Sequence, residues 1–173
     1  VSAADTPDLS LTTSVARMFD DCESLTAITA AAKWQLGHVT NMDSMFAQCL
    51  TFSGAGLEQW DTSRVATMRW MFFFSGVQVN LGGWNTANVL DLYQCFGNTR
   101  RFTGEGLQAW DVSSCVDFEE MFCQAELCAV DLRAWDSKMP DGAKTVRMFA
   151  RCRTKSMVED PYVSNTWEAH VAY

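Results

Sequence analysis

Apolar residues recur along this chain in a fixed rhythm. Trp34, Trp60, Trp84, Trp110 and Trp135 follow one another at intervals of 26, 24, 26 and 25 residues. Phe19, Phe46, Phe72, Phe96, Phe122 and Phe149 do so at 27, 26, 24, 26 and 27. Two independent markers keeping one period identify internal repeats. The best-preserved units are WDTSRVATMRWMFFFS, WNTANVLDLYQCFGNT and WDVSSCVDFEEMFCQA. With the Trp as position 0, apolar residues fall at position 5 (Val65, Val89, Cys115), position 8 (Met68, Leu92, Phe118) and positions 11 and 12 (Met71-Phe72, Cys95-Phe96, Met121-Phe122). That spacing is helical. The Asp/Asn-Thr-Ser group ahead of it supplies side-chain oxygens for the free N–H groups of a helix start. Each unit therefore predicts one short helix, α or 3₁₀, with a buried stripe. The connecting segments GLEQW, NLGGW, GLQAW and DLRAW are short and bounded by Gly or polar residues, which predicts brief strands.

A strand and a short helix every ~25 residues cannot bury their own apolar faces, whereas stacked units can. The expected fold is α/β: a right-handed solenoid of about six coils. One parallel sheet of short strands would run along one side, with short helices or 3₁₀ turns on the other. Residues 1–173 form a single repeat domain, with an N-terminal cap over 1–13, repeats over 14–157 and a C-terminal cap over 158–173. In that last cap Asn165 and Glu168 have the spacing of a capping box, and Trp167 and Val171 are expected to pack inward.

The repeat pattern L-x-x-W-[DN]-T-S-x-V-x-x-M-x-x-M-F-x-x-C-x-x-F is carried by Leu57, Trp60, Asp61, Thr62, Ser63, Val65, Met68, Met71 and Phe72, with Cys49 and Phe52 matching its end in the preceding unit. It resembles the BspA-like leucine-rich repeats of microbial surface proteins. Partial copies stand at VARMFDDCESL and VRMFARCRTKSM, so the resemblance covers about residues 14–157. Ser75, Thr99 and Ala125 replace the Cys, and KMPDGAK is an insertion. The resemblance implies that this solenoid is a leucine-rich-repeat fold with a habit of binding other macromolecules, and it implies no catalytic residue.

Composition narrows the function. The chain has 173 residues, 48% hydrophobic and 20% charged, enough for one domain with a real core. The net charge of −8 argues against a broad nucleic-acid surface. No stretch approaches the ~18 apolar residues of a membrane span, so no transmembrane segment of its own is expected. The start VSAADTPDLS has neither Met nor a charged leader with an apolar core. The chain reads as processed after targeting, for the cell surface, the extracellular space or an organelle. Chemistry is sparse. His38 and His170 belong to opposite ends of the stack, which disfavours a His-based dyad. No nucleophile-elbow, P-loop or dinucleotide motif occurs, and the repeated glycines of FSGAGL and FTGEGL read as tight turns. Cys115, Cys123 and Cys128 lack a fourth ligand and knuckle spacing, so no metal and no cofactor are expected. Cys22, Cys49 and Cys152 share the repeat's buried-Cys position, where a thiol acts as a small apolar side chain. A Cys22–Cys49 disulfide is the lesser reading. Cys123 stands at an otherwise small or exposed position and is the expected free thiol.

The stretch RWMFFFSG departs from the rhythm. Met71 and Phe72 are the regular core pair, but Trp70, Phe73 and Phe74 are extra. Position 10 holds Arg17, Ser44, Trp70, Gln94, Glu120 and Arg147, and position 14 holds Asp21, Gln48, Phe74, Asn98, Gln124 and Arg151. Polar residues fill both rows except in this one coil, so both rows should face water. Trp70, Phe73 and Phe74 are then the expected partner-binding residues. Three covers are open: the protein's own cap or tail, a partner protein, or lipid or an apolar cofactor in a membrane assembly. The expected function is a non-catalytic protein-interaction module, an accessory or scaffolding subunit docked on a larger assembly, with a membrane complex among the candidates. A cell-surface adhesion or recognition protein is the alternative, and an enzyme stands last.

Overall fold

The computed structural model describes residues 6–125 and 131–152. The C-terminal cap expected at 158–173, with Asn165, Trp167, Glu168, His170 and Val171, lies outside the described residues, as does Cys128.

Successive repeats stack one on the next, and the core runs through the stack as rows of identical positions. The Phe row Phe19–Phe46–Phe72–Phe96–Phe122–Phe149 is ring on ring, with centroids 5.5, 5.8, 5.5, 5.8 and 5.3 Å apart. Trp34, Trp60, Trp84 and Trp110 form a second row at 5.9, 6.4 and 6.2 Å. These are favourable offset-stacking distances. Four indole N–H groups also close bonds to carbonyls of the preceding coil: Trp60 to Ala31 at 2.8 Å, Trp84 to Leu57 at 2.7 Å, Trp110 to Leu81 at 2.9 Å and Trp135 to Leu107 at 2.9 Å. The residues read as the buried stripe at positions 5, 8, 11 and 12 of the three best-preserved units are buried.

The secondary structure differs from the expectation. Among the described residues there is no β-strand, and the only helices are 3₁₀ turns of three residues: Ala31–Lys33, Leu57–Gln59, Leu107–Ala109 and Arg133–Trp135. The expected α/β leucine-rich-repeat solenoid with a parallel sheet is therefore overturned. The L-x-x-W segments read as strands hold three of these 3₁₀ turns. Gly56 and Gly106 precede two of them at φ 94 and 93°, which a side chain would resist. A single row of parallel bridges at position 7 joins the coils through Ser14, Asn41, Thr67, Asp91, Asp117 and Lys144.

The segment read as a helix is a chain of tight turns. In the third coil the N–H groups of Met68, Trp70, Phe72 and Phe74 donate to Asp91, Tyr93, Cys95 and Gly97 of the next coil at 2.9–3.0 Å. Between them, Met71, Phe73 and Ser75 donate three residues back, to Met68, Trp70 and Phe72. Arg69 N–H is left over, and the Asp43 carboxylate of the preceding coil accepts it at 2.9 Å. Every donor of this stretch is thus placed. The first and last of these turns have a left-handed residue, Trp70 and Phe74, at the third place, as a type II turn does. Asp61, Asn85 and Asp111, read as helix caps, instead accept the N–H two residues on, from Ser63, Ala87 and Ser113, at 3.0, 3.2 and 3.0 Å. These are Asx turns, and no helix follows them.

The cysteines divide by coil. Cys49 is buried as expected, and its Sγ donates to the Phe19 carbonyl at 3.0 Å. Cys152 is half-buried. Cys22 is exposed, against expectation, because its coil is the first of the described coils and none of them covers it from that side. Cys123, the expected free thiol, is free but buried, at 3% exposure among the stacked turns. The Cys22 and Cys49 thiols are both free, so the disulfide reading is not met.

Candidate interaction surface

Positions 10 and 14 are where the stacked turns reverse. All twelve residues there have positive φ, between 49 and 64°, and none is Gly. Left-handed backbone costs an ordinary L-residue about 1–2 kcal/mol, and Asn, Asp and other polar residues bear it best. Ten of the twelve are polar or charged; Trp70 at φ 53° and Phe74 at φ 54° are the two bulky aromatics. The bonds to neighbouring coils hold them there.

The coil places Trp70, Phe73 and Phe74 half-buried. Trp70 meets Tyr93 edge-on at 5.2 Å, and its Nε1 donates to Gln94 Oε1 at 2.8 Å. The Arg69 guanidinium lies 4.9 Å from the Trp70 ring and 4.8 Å from the Tyr93 ring, within cation–π range. Asp91 holds it at 2.6 Å. Burial, and next the Glu120 carboxylate, push the Tyr93 phenol up. Phe73 and Phe74 meet edge-to-face at 4.7 Å. Phe73 also rests over Gly97, where an added Cβ would stand 3.1 Å from its ring. The three aromatics are thus propped by neighbours on one side and open on the other.

Sequence reasoning missed Arg69, Tyr93, Gln94 and Gly97. A signal existed, because residues one period apart, such as Trp70 and Gln94, must touch if repeats stack. Along row 10 this gives a continuous polar ladder: Trp70 donates to Gln94, the Gln94 amide to Glu120, and Arg147 pairs with Glu120 at 2.9 Å.

Burial raises the Cys49 and Cys115 thiols to about 12 and Cys95 well above its ordinary value, so they stay protonated and unreactive at neutral pH. Hydrogen bonds from Ser63 and Ser113 hold the Asp61 and Asp111 carboxyls below the usual range. Among the described residues no group of three His, Cys, Asp or Glu could hold a metal. No helix among them is long and apolar enough to cross a membrane. His38 is exposed in the second coil; His170 lies outside the described residues.

A family model described as "Mycoplasma protein of unknown function, DUF285" matches residues 13–135 and 72–167. Neither the curated proteins nor the solved structures give a match.

Proposed function

The chain belongs to the DUF285 family, and we propose that it is a non-catalytic protein-interaction module, an accessory subunit that docks on a larger assembly through Trp70, Phe73 and Phe74. One observation carries the reading. Two bulky aromatics occupy left-handed corners that the other coils give to polar residues. Strain of this kind persists where surrounding structure enforces it, and it clusters at functional places. Aromatic residues are also the commonest anchors of protein interfaces. The repeat motif, with its resemblance to BspA-like leucine-rich repeats, favours a second reading, a cell-surface recognition protein.

The test uses the residues that the second coil holds at the same corners, Ser44 and Gln48. The double variant Trp70→Ser, Phe74→Gln is expected to fold with a loss of no more than about 1 kcal/mol, the order of a few half-buried contacts. Association with a co-purified partner should weaken by about 2 kcal/mol or more. Reduced stability with association intact would overturn the docking surface. A stable stoichiometric complex supports the subunit, whereas a monomer that binds glycans or cells supports the recognition protein.

A further inference from the structure

Beside Phe74 the stack opens into a cavity of about 490 Å³. Its origin lies in one row. Position 16 of the first four coils holds Glu23, Leu50, Gly76 and Arg100. Gly76 leaves a gap between larger neighbours, and it is constrained to be Gly: a Cβ there would lie 2.4 Å from the Leu50 carbonyl oxygen. Leu50 is 51% exposed on one side of the gap, and Phe74 forms another part of the wall.

The cavity is electrically lopsided. Glu23 stands at one end and Arg100 with Arg101 at the other. Both Arg side chains are exposed, and among the described residues neither makes an ion pair. Arg17, Arg69, Lys144 and Arg147 each do. Two adjacent unpaired guanidinium groups in a chain of 21 acids and 13 bases are well placed to receive carboxylates. Ser75, in the wall, adds a second observation. Its hydroxyl is buried without a hydrogen-bond partner, whereas at the same position Thr99 bonds the Phe96 carbonyl at 2.8 Å and Cys49 the Phe19 carbonyl at 3.0 Å. Three coil steps of roughly 5 Å separate the two charged ends, the reach of about five extended residues.

Resting on the docking surface proposed above, we infer that this groove receives an extended peptide segment of a partner protein, with carboxylates against Arg100 and Arg101 and an apolar side chain against Phe74 and Leu50. Glu23 repels acidic groups at the far end and so sets the direction of the segment.

The probes are a capped pentapeptide carrying Leu-Phe followed by Glu-Asp, the same peptide with Lys-Lys in place of Glu-Asp, and a sialylated trisaccharide, each titrated into the full chain at low salt. The acidic peptide should bind at least about tenfold tighter than the basic one. The variant R100Q/R101Q should abolish that preference at an unchanged melting temperature. R100E/R101E should reverse it. Equal binding of the two peptides, or a preference that survives R100Q/R101Q, would overturn the inference. Arginine-dependent binding of the trisaccharide without the peptide would overturn it in favour of an anionic glycan. The docking surface is judged separately: if Trp70→Ser, Phe74→Gln still releases the native partner while R100Q/R101Q does not, the surface stands and the acidic segment falls.

Discussion

Phe96 lies between Phe72 and Phe122 in the aromatic row, against Phe102 at 4.2 Å, with no exposed surface. Phe96→Ala should destabilise by about 3–5 kcal/mol, the usual loss for an aromatic truncated in a core that cannot collapse. Trp110→Ala should match it, since it also strands the Leu81 carbonyl that the indole N–H now bonds. Denaturant unfolding measures both, and surface-like tolerance at either position would refute the stacked rows. The thiols give a test by reactivity. Native protein treated with a thiol reagent should label Cys22 rapidly and spare buried Cys49, Cys95, Cys115 and Cys123. They also make a pH prediction. Cys49 and Cys115 rise from 9.0 to about 12 in the fold, so folding favours the neutral thiol. Their contribution is whole below pH 9 and is lost as pH climbs toward 12. Stability should decline across that window, and less steeply in Cys115→Ala than in the parent.

The repeating element is a pair of tight turns with left-handed corners, and its energetics differ from those of a helix. A helix would accept Ala at any exposed position; these corners would not. Gln124, exposed at φ 60°, reports the difference cleanly. Gln124→Gly should be neutral or stabilising by up to about 1 kcal/mol, because Gly enters the left-handed region without steric penalty and gives back part of that gain as unfolded-chain entropy. Gln124→Val should destabilise by about 1–2 kcal/mol, since a β-branched side chain is least compatible with positive φ. Equal effects of the two substitutions would mean that the corner is not left-handed. The same argument makes the Trp70 and Phe74 corners costly to maintain, which is why the proposed docking role is attached to them.

At the scale of the molecule, each coil donates hydrogen bonds to the next, so among the described coils the interior ones are held from both sides and the first from one. The amides of Arg17, Phe19 and Asp21 bond the second coil at 3.0 Å or less, yet among the described residues no coil before theirs donates such bonds to it. Their hydrogen exchange should therefore be faster than that of Trp70, Phe72 and Phe74, although the local bonds are equivalent. Uniform protection along the stack would point instead to one all-or-none unit. The opening of a terminal coil would also expose Cys49, whose Sγ bonds the Phe19 carbonyl. Among the buried thiols it should be the first to label.

The sequence by itself determined the period, the rows and their inward face. Trp60, Met68, Met71 and Phe72 are buried as their recurrence required, because only residues repeated in register can stack. It also singled out Trp70, Phe73 and Phe74 as departures from those rows. It did not determine the backbone. Val65, Met68 and Met71 have helical spacing, yet they lie in tight turns, because a turn that closes every three to four residues buries the same positions as a helix does. Apolar spacing reports which side chains point inward and carries no information on the sign of φ. The polar residues of rows 10 and 14 were a trace of that sign, readable as solvent exposure and equally as left-handed corners. Only the tertiary structure decided between them, since the bonds that enforce positive φ run to coils some 25 residues away. The surroundings of the aromatic patch were settled in the same way: Arg69 over Trp70, Gly97 under Phe73, and the gap at Gly76 all arise where neighbouring coils meet.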